Sequence, residues 1–381
     1  LTDAGVKVRG AGRAFAGLHR ARHASTVVSL QYVRAMAACS VMYTHIFNNR
    51  ICVHWDAYKL FGASGVSTFF LISGFIMWSS TRRRHGGAWR FLRRRVLRVY
   101  PLWWIALTVW IVLRLLIPDG MKNADMTPFS VIASYALAPH FHTVLPYPWP
   151  ILVPGWTLQL EIMFYVLLAA VLFIHAERRR FLALAALLAA FLALGLVVHA
   201  RSAVLVVYTD PLLVEFLAGI VLAMAFSRLG ALPWQLGATL VGAGIVSVLL
   251  LPADMPKAGW MHLVLSGVPA LAIVSGALIM ERMIVRRPIA GLLSVGDASY
   301  SLYLFHPIAI AAVAVVWHKC HFPEGASRAS LCFIPLAFAA SIVASLLVYR
   351  WVEKPLTGWL LPSRPSVPAL PDRDLLSAQS A

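Results

Sequence analysis

Ten apolar stretches, near residues 28–47, 61–80, 99–117, 156–174, 181–199, 204–226, 235–251, 261–280, 298–317 and 329–349, divide this chain into segments of bilayer-spanning length. A helix needs about 20 such residues to cross a hydrocarbon core. With 60% of residues hydrophobic and 13% charged, no water-soluble domain could cover so much apolar surface. The expected fold is an all-α, polytopic membrane bundle of about ten transmembrane helices.

The formal net charge of +18 would suggest a nucleic-acid partner in a soluble chain, but here Lys and Arg cluster between the apolar runs. Eight Arg fall between Thr81 and Arg98, three at Arg178–Arg180, and three more at Arg282, Arg286 and Arg287. The connections between these hold at most two basic residues each. Such alternation is the positive-inside pattern, and it predicts that both termini are cytoplasmic. No nucleic-acid partner is expected; the lipid bilayer is.

Residues 1–25 carry Lys7, Arg9, Arg13, Arg20 and Arg22 against Asp3 and hold no signal-peptide core, so they are expected to form a mobile basic arm. Residues 26–360 form the membrane domain, and the Pro- and Ser-rich residues 361–381 a disordered tail. Cys39, Cys52, Cys320 and Cys332 show no metal spacing, so no metal is expected; Cys52 and Cys320, both in outward loops, could pair. Residues 118–155 contain Pro139, Pro146, Pro148, Pro150 and Pro154, which lack backbone donors and suit bare lipid poorly. A lid or re-entrant piece with a short helix at Ser130–Ala138 is expected.

Ionisable side chains inside the spans are costly and should face the bundle interior. Arg34 and His45 lie eleven residues apart on the first span, which returns them to within about 20° of one direction. Arg34 could orient an anion or snorkel to headgroups; His45 could act as a general base or bond a backbone carbonyl. Arg95 and Arg98 share a face at the start of the third span and could grip phosphates or anionic lipid. Glu161, one turn inside the outer end of the fourth span with Trp156 at the interface, could orient His45 or pair with Arg114. In the ninth span Tyr303 and His306 share a face and could line a polar tunnel or tie helices together. Asp210, Glu215, Asp297 and Glu353 read as structural partners for Arg.

The segments LQYVRAMA, GASGVSTFFLISGFIM, RRRVLRVYP, PGWTLQLEIMFY, SYSLYLFHP and YRWVEKP, in this order, resemble the acyltransferase 3 family of membrane acyltransferases, in its exopolysaccharide-production branch. Gln31 and Tyr32 stand where some relatives carry Asp and Gly, which bears on the branch and not on the family. The short polar tail leaves no expectation of the esterase-like domain that some relatives add. The resemblance implies a ten-helix O-acyltransferase of the cell inner (plasma) membrane, moving acetyl or another short acyl group from acyl-CoA as co-substrate to a hydroxyl of a carbohydrate acceptor. It implies catalytic roles for His45, Glu161 and Arg34, cofactor binding by Arg95, Arg98 and Arg34, and substrate binding by Trp156, Tyr303 and His306. His45 would then be the base, oriented by Glu161, or would form an acyl-histidine. The rival class is a proton-coupled transporter or flippase using the same buried Arg, His and Glu.

Overall fold

The structure, a computed structural model, describes residues 27–47, 49, 51–52, 58–82, 87–117, 126–141, 147–198, 202–250, 259–325 and 327–361. The basic arm, most of the polar tail and Pro146 lie outside them. Among the described residues the regular secondary structure is all helix, with no strand, as expected. In chain order the elements are α1 (Val28–Phe47), α2 (Tyr58–Arg82), α3 (Gly87–Leu116), α4 (Pro128–Ala136), α5 (Gly155–Val171), α6 (Glu177–Val197), α7 (Ala203–Tyr208) and α8 (Leu213–Leu229). They continue with α9 (Trp234–Leu250), α10 (Trp260–Ile279, with a π-helical turn at Leu263–Gly267), α11 (Glu281–Ile284), α12 (Ala290–Asp297) and α13 (Ser299–Lys319). Last come α14 (Ser327–Val348), a π-helical turn at Tyr349–Glu353, and α15 (Lys354–Leu360).

Each of the ten apolar stretches falls on this helical framework. Among the described residues, seven helical segments are long and apolar enough to cross a membrane, and α5 and α9 are shorter apolar helices. The basic clusters gather at one end of the bundle. There Trp78 near the end of α2 donates to Glu177 at the start of α6 (2.9 Å), while the Arg180 guanidinium lies over the Trp78 ring. At the same end Glu281 accepts from the first free amides of α1, Val28 N (2.8 Å) and Ser29 N (2.7 Å). A carboxylate on two orphan N–H groups is a strong, charge-assisted cap. We call this the basic end.

Helices meet through small residues, as lipid-embedded packing requires, because tails offer no hydrophobic drive toward association. Gly74 of α2 lies against the Phe216 carbonyl, and Gly219 of α8 against the Leu71 carbonyl, so the two backbones touch reciprocally. A Cβ on Gly219 would stand 2.0 Å from the Leu71 oxygen. Gly219→Ala is therefore expected to push α2 and α8 apart and cost about 1–3 kcal/mol, by the ordinary penalty of overpacking. A lowered melting temperature of the detergent-purified protein would register this, and an unchanged one would contradict the close packing.

The connection between α3 and α5 is re-entrant, and this positions much of the site. Thr127 caps α4 (Ser130 N to Thr127 Oγ1, 3.3 Å) with Pro128 in its first turn, and Leu137 ends it in the left-handed region at φ 54°. A helix ending inside a bilayer must have its carbonyls satisfied. Here α3 does so: Trp103 Nε1 donates to Ser134 O (2.9 Å), Trp104 Nε1 to Tyr135 O (3.0 Å), and Tyr100 OH to Ala136 O (3.0 Å). The chain then returns with Ile151 N on Ser134 Oγ (3.0 Å), and Gly155 opens α5 directly against the Trp103 ring. Trp103 lies near the middle of α3. Consequently α5 begins halfway through the bundle rather than at its surface, which explains its shortness.

Cys52 is buried and Cys320 exposed, and no disulfide joins them. Glu215, expected to serve an Arg, is 2% exposed and lies near the Ser67 hydroxyl, with no Arg and no well-formed hydrogen bond on its carboxylate among the described residues. It faces Gly267 in the π-helical turn of α10 instead.

Candidate active site

A cavity of about 530 Å³ opens at the basic end and runs inward between α1, α2, α3, α5, α13 and the Tyr349–Leu361 segment. Its cations come from three elements: Arg34 from α1, Arg95 and Arg98 from α3, and Lys354 from α15. Arg34 and the RxxR pair, separated by about 60 residues in sequence, are thus brought to one wall. Arg95 is committed on several sides: Nη2 donates to Ser80 Oγ (3.1 Å), and the guanidinium lies 5.6 Å from the Phe91 ring centre and 5.9 Å from that of Tyr165. Arg34 donates to Gln31 Oε1 (3.2 Å). Arg98 makes no hydrogen bond or ion pair with a described residue. Its guanidinium lines the cavity.

Three carboxylates share these walls: Glu161, Asp297 and Glu353. Glu161 accepts from Tyr165 OH (2.5 Å) and from Ser73 Oγ (3.0 Å). Glu353 accepts from Ser301 Oγ (2.6 Å). Asp297 and Glu353, read from sequence only as structural partners for Arg, stand in the cavity beside Arg34 and Arg98. The signal for Glu353 was the acid of YRWVEKP at the basic end of the last span. What sequence lacks is the π-helical turn, whose extra residue per turn rotates the acid inward.

At its inner limit the cavity meets Phe69, Phe70, Thr157 and Tyr303. The Tyr303 hydroxyl lies 2.7 Å from Thr157 Oγ1 and donates to Pro154 O (3.0 Å), and Phe69 packs edge-on to the Tyr303 ring at 5.7 Å. One turn farther along α13, toward the end opposite the basic one, stands His306. Its ring is 6.3 Å from that of Tyr303 and 4.7 Å, edge-on, from that of His45. The structure therefore unites His45, Tyr303 and His306.

Both imidazoles are held alike. His45 Nδ1 lies 2.9 Å from Val41 O and His306 Nδ1 3.0 Å from Leu302 O, in each case the carbonyl four residues back. A carbonyl can only accept, so Nδ1 carries the proton and a neutral ring presents the Nε2 lone pair. His306 Nε2 is buried and has no hydrogen-bond partner among the described residues. The backbone, rather than a carboxylate, sets the tautomer.

Two expectations are corrected here. Glu161 does not orient His45, nor does it pair with Arg114. Helix α5 runs toward the basic end, so Glu161 lies one turn inward of Thr157. His306 and His45 lie one turn outward of Tyr303. At 1.5 Å rise per residue the two groups are separated by about 10 Å in depth. Likewise Trp156 is not at an interface: it packs edge-on to Phe70, at the centre of α2, with ring centres 6.5 Å apart. Both errors have one cause, the re-entrant descent that starts α5 at mid-depth.

Comparison with known proteins bears on what such a site does. Residues 27–350 match an acyltransferase domain family. The chain is 33% identical over 302 residues, 77% of its length and 89% of the relative's, to the exopolysaccharide production protein ExoZ of Rhizobium meliloti (strain 1021). It is 28% identical over 330 residues, 75% of its length and 83% of the relative's, to nodulation protein 10 of Rhizobium leguminosarum bv. viciae.

Proposed function

We propose, from the premise that this chain belongs to the acyltransferase 3 family, that it moves an acetyl or other short acyl group from acyl-CoA to a hydroxyl of a surface polysaccharide or related glycan. The observation that carries this reading is the cavity: guanidinium and ammonium side chains of the kind that suit phosphates at its mouth, a channel inward, and two Nε2-presenting histidines just past its inner wall. In the positive-inside reading the basic end is cytoplasmic, both termini lie there, and the protein sits in the inner (plasma) membrane.

The donor enters from the cytoplasm. Arg95 and Arg98 hold its diphosphate, Arg34 lies deeper along the path, and the thioester is directed at the Tyr303 and Thr157 wall. The acceptor approaches His45 from the opposite side, with Tyr303, His306 and Trp156 on the side of the acyl end. His45 Nε2 removes the hydroxyl proton as the sugar oxygen attacks the thioester carbonyl. The tetrahedral intermediate then collapses, the carbon–sulfur bond breaks, and the departing thiolate takes the proton from the imidazolium. Glu161, tied to Ser73 and Tyr165, contributes to the cavity's charge balance around Arg34 and not to His45.

Purified protein in nanodiscs, given acetyl-CoA labelled in the acetyl group and the host's surface glycan, is expected to transfer label to the glycan with stoichiometric release of CoA. Glycan uptake into vesicles with no CoA consumed would replace the enzyme with a transporter.

A further inference from the structure

The cavity mouth has a wall that the donor-binding motif does not account for. Lys354, Thr357, Gly358 and Leu361 of the terminal segment all line the cavity. Their spacing of three, one and three is that of a single helical face. The face is anchored at its start, because Glu353 is buried and bonded to Ser301 of α13. Lys354 itself is exposed, and its ammonium makes no hydrogen bond or ion pair with a described residue. Gly358 leaves room beside it: a Cβ there would meet nothing within 4 Å. With Arg98, Lys354 is therefore a second uncommitted cation on this cavity, carried by a different element.

An acyl-CoA whose thioester points inward orders its remaining groups by distance: pantetheine, then the diphosphate, then the ribose with its 3′-phosphate. Two guanidiniums on one helix face suit the diphosphate, since each can bind bidentately. A terminal phosphate monoester is a compact dianion and suits a mobile, point-like ammonium. The deeper carboxylate Glu161 repels phosphates and favours their staying at the mouth.

We propose that Lys354 binds the ribose 3′-phosphate of the donor, so that the α15 face makes the enzyme discriminate CoA from its 3′-dephospho form. This rests on the acyl-CoA reading above. The test is equilibrium binding of radiolabelled CoA and of dephospho-CoA to the full chain in nanodiscs, for the wild type, Lys354→Met and Lys354→Arg. The wild type is expected to prefer CoA by about tenfold or more, the scale of a charge-assisted contact. Lys354→Met should lose that preference while its affinity for dephospho-CoA stays the same, and Lys354→Arg should keep most of it. A preference that survives in Lys354→Met would overturn the assignment and leave the donor reading intact. A wild type that binds both forms equally would do the same. A wild type that binds neither would overturn both.

Discussion

Replacing His45 with alanine is expected to lower kcat for acyl transfer by about 10²- to 10⁴-fold, the usual contribution of a positioned general base. Donor binding should be nearly unchanged, because His45 lies past the Tyr303 and Thr157 wall, whereas the cations proposed to hold the donor's phosphates lie at the mouth. Tautomer control makes this loss large: with Nδ1 on the Val41 carbonyl, Nε2 is the only basic atom the ring offers. Asparagine can place a side-chain group near Nδ1 but supplies no comparable base, so it should fail like alanine. The measurement is initial rate at saturating donor in membranes with matched expression, alongside CoA binding. Transfer at close to the wild-type rate would remove His45 from the chemistry.

The second large effect is expected at the mouth. Arg98→Ala should raise the donor KM by about 10- to 100-fold, because a hydrogen bond to a charged group contributes roughly 1.5–3 kcal/mol. Stability should change less than in Arg95→Ala, since Arg98 makes no hydrogen bond or ion pair with a described residue and stands only in the field of Glu353. Arg95→Ala should differ in kind. Removing it strips a cation from the Phe91 and Tyr165 rings and a donor from Ser80, so it should raise KM and lower the melting temperature together. Parallel kinetics and thermal unfolding of the two variants separate the roles. An unaltered donor KM in Arg98→Ala would exclude it from phosphate binding.

The histidine pair shows how local and distant information divide. That Arg34 and His45 share one stripe of α1 follows from helical period alone, as does the common face of Tyr303 and His306. That His45 and His306 come to within 4.7 Å requires α1 and α13 to pack with one register, which no spacing in either helix encodes. Glu161 shows the opposite outcome. The apolar run places its helix, but a depth counted from the membrane surface puts Glu161 near the outer end, whereas α5 starts at mid-depth. Trp103, Trp104 and Tyr100 hold the re-entrant α4 in place through side-chain donors, and those three contacts reset the depth of every residue of α5. Glu353, which the sequence reads as a structural partner for Arg, does stand beside Arg34 and Arg98, while its bond to Ser301 and its place on the cavity wall appear only once α13 and the π-helical turn are packed together.

Apolar runs of bilayer length and the grouping of Arg at one end are properties of the chain itself. Lipid forces backbone groups to pair within each segment, so the all-helical bundle was legible before any contact was known. The number and order of those runs needed nothing more. The start of α5 at mid-depth, the transfer of Glu161 from His45 to Ser73 and Tyr165, and the gathering of Arg34, Arg98 and Lys354 on one cavity were decided only in the tertiary structure. The physical reason is that helical period sets direction around an axis, whereas depth and neighbours are set by packing between axes.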